Sequence, residues 1–382
     1  MIWPMLFVLI CWLMFMAFVH VNLSFDNSQG VDLEYPFGVE EIDIIVAARN
    51  EEQNIGAFIQ SIESQVWLPD RCNLLIVDDH SIDHTVDKVR SRKIQNDRVK
   101  VSLFNLSQGY GKKAALRFAL SKTRSKYVVQ LDADCILSEN ALGVMLKHLL
   151  EGKQHAVFGE VWLDSNNIAS KLLALENLNN QCVTEAFFNI NRPVMANGAI
   201  MALTQDVVDL YSDSLNSTVL SGDDVFFIQA LREHGHKMAY AHNATVTTSA
   251  PMSMVEFAAQ RLRWASKTSD LKFWDIKALA LFVWMVQFLL LAFLVLGFVS
   301  GNLFWVLAIW VTKWVIEYSF QRYWFEKRNM SMSPLMSILL SVIYPIYIVV
   351  IGFLSILNIR FEWKGRIVKT TQVQPDRSQI LH

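Results

Sequence analysis

Long apolar stretches lie at both ends of the chain. They cover residues 1–19, about 278–299, 302–320 and 334–357, and the third contains Lys313 and Glu317, which are four residues apart and can pair on one helix face. At 1.5 Å per residue, helices of this length cross a bilayer core of about 30 Å. Ordinary buried core helices are the less favoured alternative. The pattern predicts an uncleaved N-terminal transmembrane anchor over residues 1–21, because no basic segment precedes it and no cleavage site follows. It also predicts a C-terminal transmembrane region of about three segments over residues 278–357.

Short apolar runs alternate with helical periodicity between these stretches. The predicted strands are Ile42–Ala48, Asn73–Val77, Val99–Phe104 and Tyr127–Leu131. The predicted helices between them are Glu51–Gln65, Asp83–Ile94 and Lys112–Ser121. This alternation predicts an α/β fold, a Rossmann-like, mostly parallel sheet with helices on both faces. Ligands of such sheets bind beyond the carboxyl ends of the strands.

Residues 22–255 are predicted to form one soluble domain. Residues 256–277 mix aromatic and basic side chains, which predicts an interfacial amphipathic helix, and residues 358–382 form a basic tail. The basic flanks of the apolar segments are Lys267, Lys272, Lys277, Arg322, Lys327 and Arg328. By the positive-inside rule they place the soluble domain and the loop 321–333 in the cytoplasm, in a bacterial inner membrane. Pro345 can interrupt the last segment, so the side of the tail stays open.

Composition narrows the class of protein. Only 18% of the 382 residues are charged, against about 25% in an ordinary soluble domain. The net charge of −2 excludes a dedicated nucleic-acid binder, which needs a basic face. The four cysteines are scattered and no pair has metal-ligand spacing, which is typical of a reducing compartment without a disulfide framework.

Acidic residues follow two of the predicted strands. Asp132 and Asp134 flank one alanine directly after an apolar strand, so both carboxylates can reach one point. Two hard oxygen ligands suit Mg²⁺ or Mn²⁺, which also binds substrate phosphate oxygens. Asp78 and Asp79 have the same placement and can accept a hydrogen bond from a base or a ribose. Solvated turns and helix caps are the alternative role for all four acids.

Four further clusters carry candidate chemistry. They are Asn50-Glu51-Glu52, the glycine-containing turn Gly109–Ala114 with two lysines, the segment Ser221–Asp224, and Gln260-x-x-Arg263-Trp264. The lysine turn offers amides and cations to phosphate. The last cluster places three unlike side chains within one helical turn, where Arg263 can clamp phosphate and Trp264 can stack on a sugar or anchor at the membrane interface.

The order of these motifs is more specific than any one of them. The series AARNEE, VDDHSIDHT, GKKAAL, LDAD, NGAIMAL, SGDD and QRLRW closely resembles the membrane-integrated branch of glycosyltransferase family 2 over about residues 42–268. That branch includes cellulose, chitin and hyaluronan synthases and ceramide glucosyltransferase. The resemblance implies a GT-A-type fold, and it implies a transferase of the hexosyltransferase class.

The resemblance also implies roles for matching positions. The nucleotide side of the site comprises Asn50 and Glu51 in the pocket, Asp79 on the uracil with Asp78 beside it, Lys113 near the phosphates, Asp132 on the nucleotide sugar and Asp134 on the metal. Asn197 and Gly198 approach the donor or acceptor sugar. Asp224 matches the general base, with Asp223 as the competing candidate. Gln260, Arg263 and Trp264 close over pyrophosphate and acceptor.

The implied reaction is inverting transfer of a sugar from a nucleotide-diphosphate donor, a UDP-sugar, to a hydroxyl of a membrane-associated lipid. A divalent cation is the implied cofactor, and membrane lipids, a lipid or glycan acceptor and a homo-oligomeric or separate partner subunit are the implied partners. The alternative is a subunit of a processive polysaccharide synthase. Four membrane segments are few for a synthase that secretes its own polymer, so this alternative needs an oligomeric or partner-assisted channel. An inactive binding protein of the same fold is disfavoured, since all the expected acids are present.

Overall fold

The computed structural model describes residues 2–23, 38–216, 222–251, 253–265, 271–328, 330–357, 360–363 and 366–369. The helices are α1 (Ile2–Val21), α2 (Ile55–Glu63), α3 (Thr85–Ser91), α4 (Lys112–Leu120), α5 (Ala141–Glu151), α6 (Ile168–Asn189), α7 (Val208–Ser214), α8 (Asp223–Glu233), α9 (Met254–Ala265), α10 (Trp274–Val299), α11 (Leu303–Lys327) and α12 (Pro334–Ile356). The strands are β1 (Glu41–Ala48), β2 (Arg71–Asp78), β3 (Val99–Asn105), β4 (Tyr127–Asp132), β5 (Ile136–Leu137), β6 (Ala156–Asp164), β7 (Ile200–Thr204), β8 (Met238–Ser249), β9 (Arg360–Trp363) and β10 (Arg366–Lys369).

The chain divides into two compact units. The sheet unit comprises Ser28–Asp164 and Asn191–Ser249, and the helical unit comprises Met1–Asn27, Ser165–Ile190 and Ala250–His382. The predicted domain 22–255 is therefore interrupted, because α6 groups with the apolar helices. The pattern of α6 did not reveal this, since it carries charged and amide side chains as well as apolar ones.

The sheet unit is built on an eight-stranded sheet in the order β3-β2-β1-β4-β7-β6-β8-β5. The strands β3, β2, β1 and β4 are parallel neighbours. The pairs β4–β7, β6–β7 and β5–β8 are antiparallel, and β6–β8 is parallel. The predicted α/β, Rossmann-like fold is confirmed, with a parallel half and a mixed half.

Alternate residues of the central strands pack on opposite faces of the sheet, as the two-residue period of a strand requires. Ile42, Ile44 and Val46 belong to a core cluster that also contains residues of α2, α3 and α5. Helix α4 packs against β1 and β2, and its buried Leu116 is not part of that cluster. The helices therefore cover both faces and leave the carboxyl edge of the parallel strands to the connecting loops.

Among its described residues, the helical unit contains four helices that are long and apolar enough to cross a membrane: α1, α10, α11 and α12. They match the four apolar stretches of the sequence. Helix α12 continues through Pro345, so the predicted interruption there is not found. Lys313 and Glu317 do pair on one face of α11, with Nζ 2.7 Å from Oε1.

The predicted interfacial helix 256–277 is not one continuous helix. Helix α9 covers Met254–Ala265, and residues 271–273 before α10 are not helical, with an extended backbone at Phe273. Residues 266–270, which include Lys267, lie outside the described part. In the basic tail, β9 and β10 pair as an antiparallel hairpin. Residues 358–359, 364–365 and 370–382 of that tail lie outside the described part.

Candidate active site

Strand register brings the predicted acids to one edge of the sheet unit. On β1, Ala48 pairs with Asp78 of β2, and Ala47 pairs with Asp132 of β4. These residues are the last or next-to-last of their strands, so the two acidic loops flank the end of β1. The alignment follows from parallel pairing, in which neighbouring strands end at the same edge.

Asn50 and Glu51 connect the loop after β1 to the loop after β2. Asn50 has a positive φ of 53°, its N–H donates to Ser81 Oγ at 3.0 Å, and its Oδ1 accepts from Ile82 N at 2.9 Å. The N–H of buried Glu51 donates to Thr85 Oγ1 at 2.8 Å. After glycine, asparagine is one of the residues that adopt a left-handed backbone conformation most readily. The two residues thus hold the shape of the loops around Asp78 and Asp79.

Asp78 and Asp79 are both buried. Asp78 Oδ2 accepts from Ser81 N at 3.1 Å, whereas Oδ1 is buried with no hydrogen-bond partner among the described residues. Asp79 Oδ1 accepts from Gly111 N at 2.8 Å, and Arg49 Nη1 lies 3.8 Å from Asp79 Oδ2. Because buried acceptors are nearly always satisfied, Asp78 Oδ1 is available to an N–H or O–H of a ligand.

Lys112 joins acids from two different elements. Its Nζ lies 2.8 Å from Asp132 Oδ1 and 3.0 Å from Asp223 Oδ2. Burial lowers the pKa of Lys112, but Asp132 and Asp223 outweigh this and raise it above the ordinary lysine value. Lys113, which was predicted to lie near the phosphates, has its Nζ 5.3 Å from the centroid of the Phe226 ring. Lys112 thus places an ammonium inside the acidic cluster.

The carboxyl groups of the D-x-D segment differ in their surroundings. Burial, with the charges of Asp134 and Asp223, raises the pKa of Asp132, although Lys112 acts in the opposite direction. Asp134 Oδ1 accepts a weak hydrogen bond from Cys135 Sγ at 3.7 Å. Burial is the main cause of the raised pKa of Asp132, and the neighbouring carboxylates add to it.

Asp223 and Asp224 open helix α8, after Gly222 at a positive φ of 90°. Asp223 is buried, and its Oδ2 also lies 3.4 Å from Gln130 Nε2. Asp224 is half-buried; its Oδ1 accepts from Val225 N at 2.7 Å and its Oδ2 accepts from Gly198 N at 3.3 Å. The two acids thus belong to the first turn of α8. Of the pair, Asp224 is the more accessible carboxylate.

Asn197 and Gly198 lie beside this acidic pair. A Cβ on Gly198 would stand 3.1 Å from Asp223 Oδ2 and 3.3 Å from Asp224 Cβ, so a larger residue would crowd both acids. Asn197 Oδ1 accepts from Ala199 N at 3.1 Å. Gly198 O accepts from Gln130 Nε2 at 2.8 Å, and Gln130 Oε1 accepts from Tyr211 OH. Burial raises the pKa of Tyr211 well above the ordinary value, so it stays a neutral donor.

Sequence reasoning missed the supporting members of this cluster, namely Lys112, Gln130 and Tyr211. Gln130 carried a signal, because it is a polar residue inside the apolar run YVVQL and is fully buried. Buried polar side chains in a strand need a partner, and this one holds Gly198 in place. Lys112 was within the lysine turn, but the sequence does not say which of two adjacent lysines faces the acids.

Gln260, Arg263 and Trp264 lie in the helical unit, on α9, as predicted. Gln260 and Arg263 are half-buried, and Trp264 is 39% exposed. Their shared helix turn is consistent with three side chains acting on one ligand.

Asp132 and Asp134 have the donor chemistry of a divalent-cation site. Within the described ranges, no group of three or more His, Cys, Asp or Glu side chains is arranged to hold a metal ion. Mg²⁺ is usually bound by one or two carboxylates together with substrate phosphates rather than by a complete protein cage. Two strand-end carboxylates therefore fit a cation that is shared with a diphosphate.

Comparisons with known proteins agree with this architecture. The family model described as glycosyl transferase family group 2 matches residues 127–358, and the one described as glycosyl transferase family 2 matches residues 43–204. The beta-monoglucosyldiacylglycerol synthase of Synechocystis sp. is 32% identical over 102 residues, which are 27% of this chain and 21% of that protein. The poly-beta-1,6-N-acetyl-D-glucosamine synthase of Staphylococcus aureus is 23% identical over 235 residues, 59% of this chain and 54% of that protein.

Each of these matches spans little more than half of its relative's length, or less. Among solved structures, a mannosyltransferase from Pyrobaculum calidifontis in complex with GDP-Man and Mn²⁺ superposes with a TM-score of 0.53 at 17% identity. The superposition covers 80% of this chain and 87% of that one, and it supports the fold. With the family model covering more than half of its residues, the chain belongs to glycosyl transferase family group 2.

Proposed function

We propose that this glycosyltransferase moves a sugar from a UDP-sugar to a hydroxyl of a membrane-associated lipid, with inversion at the anomeric carbon. One observation carries the proposal: the Gly111-Lys112 turn contacts acids of three loops. Gly111 N donates to Asp79, and Lys112 Nζ lies between Asp132 and Asp223. One short segment thus contacts a proposed nucleobase ligand, a proposed cation ligand and the acid next to the proposed base.

Asp224 is the proposed general base. The acceptor hydroxyl has a high pKa, so a positioned carboxylate must take its proton while the bond to the sugar forms. Asp223 is paired with the ammonium of Lys112 and is buried, which leaves Asp224 better placed to receive a proton. A single base and direct displacement give inversion at the anomeric carbon.

The negative charge of the diphosphate is the second problem that the site must solve. Asp132 and Asp134 would hold Mg²⁺ or Mn²⁺, which would neutralise charge on the departing diphosphate. Lys112 limits the charge of the acidic cluster itself. Arg263 is proposed to bind the diphosphate, because a guanidinium matches phosphate oxygens. Asp78 and Asp79 are proposed to bind the uracil, with Asn50 and Glu51 shaping the pocket.

The acceptor is proposed to be a lipid because four helices of the chain can cross a membrane. The relative from Synechocystis is named for the synthesis of a glucosyldiacylglycerol, which supports the same choice. The relative from S. aureus is named for a polysaccharide, and its match covers more of this chain, so polymer synthesis is the alternative. Trp264 is proposed to position the acceptor.

The experiment is a panel of radiolabelled nucleotide sugars added to membranes that contain the full-length protein. The account predicts that the labelled sugar appears in the organic extract while UDP is released. Membranes that lack the protein should give no labelled extract. Label retained at the chromatographic origin would favour the polymer alternative. Absence of transfer from every donor in the panel would refute the proposed reaction.

The sheet unit is proposed to face the cytoplasm. Single cysteines at Asn302 and Lys327 test this in a variant without the four native cysteines, because the two positions lie at opposite ends of α11. In intact cells a membrane-impermeant thiol reagent should label position 302 and not position 327. The reverse labelling pattern would invert the topology.

A further inference from the structure

Arg261 lies inside the Gln260–Trp264 motif but has a different environment from the motif residues. It is only 6% exposed, and its Nη2 donates to Glu176 on α6. Its guanidinium carbon lies 4.3 Å from the centroid of the Trp264 ring and 5.0 Å from that of Phe257. A planar guanidinium can stack on an aromatic face and bind a carboxylate at the same time, which an ammonium cannot do.

Glu176 connects this cation to a helix that can span the membrane. Its Oε1 accepts from Tyr347 OH of α12 at 2.6 Å and from Asn180 Nδ2 of α6 at 3.2 Å. The ring of Phe257 also meets the ring of Tyr347 edge-on at 5.3 Å. A continuous set of contacts therefore runs from α12 through Glu176 and Arg261 to the exposed indole of Trp264.

Burying an Arg–Glu pair costs desolvation energy, so such a pair is weak evidence for stability by itself. Its specific effect here is geometric. The contacts with Glu176 and Phe257 fix the guanidinium of Arg261. The guanidinium in turn covers one face of the Trp264 indole, and the rest of the indole stays accessible. In catalysis, misplacing a substrate-positioning group by about 1 Å costs about 10²-fold in rate.

We propose that Arg261, held by Glu176 and Tyr347, is a positioning residue that orients Trp264 toward the acceptor, so that sugar transfer depends on a contact made by membrane helix α12. The inference rests on the proposed role of Trp264 in binding the acceptor. It adds that α9 does not act alone. The polar side chains of α6 and α12 determine where its tryptophan stands.

Two mild variants test the contact in the full-length protein. Arg261→Lys keeps the charge but removes the planar stack, and Tyr347→Phe removes one hydroxyl. Tyr344→Phe is the matched control for the second variant, because Tyr344 lies one turn away on α12 and, within the described residues, its hydroxyl makes no hydrogen bond to Glu176. Arg322→Lys is the control for the first, since Arg322 forms an exposed pair with Glu326.

The first readout needs no substrate. Hydroxyl-radical oxidation of Trp264, followed by mass spectrometry with exposed Trp274 as the internal reference, reports how well the indole is covered. Both test variants should raise its oxidation rate by about twofold, as expected when a local contact is lost. Unchanged oxidation of Trp264 in both would overturn the inference, whatever donor the enzyme uses.

The second readout is transfer of label to membranes from the nucleotide sugar that is active in the panel, together with calorimetric binding of UDP. Arg261→Lys should lower transfer by about tenfold or more, with UDP affinity unchanged. In a Trp264→Ala background the same substitution should have almost no further effect, because it acts through the indole. Additive losses in that double variant, or undiminished transfer in Arg261→Lys, would contradict the inference. Full activity of Trp264→Ala alone would instead refute the proposed acceptor role.

Discussion

The two units of the molecule hold charged side chains by different means. In the sheet unit, Asp78 and Asp132 are placed by strand register, and backbone N–H groups orient Asp78, Asp79 and Asp224. In the helical unit, Glu176, Arg261 and Tyr347 are placed almost entirely by one another. A backbone-placed carboxylate can be exchanged for its amide with little effect on the surrounding fold. A side-chain-placed charge depends on its partner, so substitutions there are expected to act on stability and position together.

A second cluster of the helical unit follows the same rule. Lys313 and Glu317 are buried on α11, and Trp12 Nε1 of α1 donates to Glu317 Oε1 at 2.6 Å. Lys313 Nζ lies 2.7 Å from the same oxygen. A charged residue inside a membrane helix costs free energy unless it is paired. Lys313 and Glu317 therefore each stabilise the charge of the other.

The largest effect is expected from removing the base in the sheet unit. Asp224→Asn should lower sugar transfer by about 10²–10⁴-fold, because an amide cannot take a proton at neutral pH. Folding and UDP affinity should stay near those of the wild type, since the amide oxygen can still accept from Val225 N and only the longer contact with Gly198 N is lost. Transfer and UDP binding are measured in parallel with Asp223→Asn. If Asp223→Asn loses transfer while Asp224→Asn stays active, the base is Asp223.

Breaking one buried pair of the helical unit should have the next largest effect. Lys313→Met leaves Glu317 without its cation and should lower the free energy of unfolding by about 3–5 kcal/mol. Thermal unfolding in detergent measures this loss. The double variant Lys313→Met/Glu317→Gln should recover most of it, because no unpaired charge remains.

Arg322→Met on the same helix serves as a control, since its exposed partner Glu326 has the same four-residue spacing. Such exposed pairs contribute little, so its unfolding temperature should hardly change. Equal losses for Lys313→Met and Arg322→Met would remove the distinction between the two kinds of pair.

Removing Lys112 tests a cation that bridges two acids of the sheet unit. Lys112→Met leaves Asp132 and Asp223 without their shared partner and should cost about 1–3 kcal/mol in the free energy of unfolding. UDP binding should weaken as well, because more negative charge then faces the diphosphate. Lys113→Met is the matched control and should be milder in both assays. A larger effect from Lys113→Met would instead support the predicted position of Lys113 near the phosphates.

The contrast between the units also explains what the sequence could reveal. Strand ends, and hence Asp78, Asp132 and Asp134, follow from apolar runs that stop at acids. The four apolar helices were predicted from the length of the apolar stretches and their low content of charged residues. Both are local patterns, and local patterns are visible without the fold.

Contacts between distant side chains are not visible in the same way. Arg261 and Arg263 look alike in the sequence, and only packing against Glu176, 85 residues away, separates them. Lys112 contacts Asp132 and Asp223 from the first turn of α4, which follows Gly111 at a positive φ of 94°. The non-helical residues 271–273 were missed because aromatic and basic residues continue across them.

The central claim is that strand-end acids bind the donor while a separate acid performs the chemistry, and one calorimetric series tests it directly. UDP is titrated into wild type, Asp134→Ala and Asp224→Asn, each with EDTA and with Mn²⁺. The account predicts that Mn²⁺ strengthens UDP binding to wild type and Asp224→Asn but not to Asp134→Ala, because one remaining hard ligand holds the ion too weakly. Undiminished Mn²⁺-dependent binding in Asp134→Ala would contradict the account.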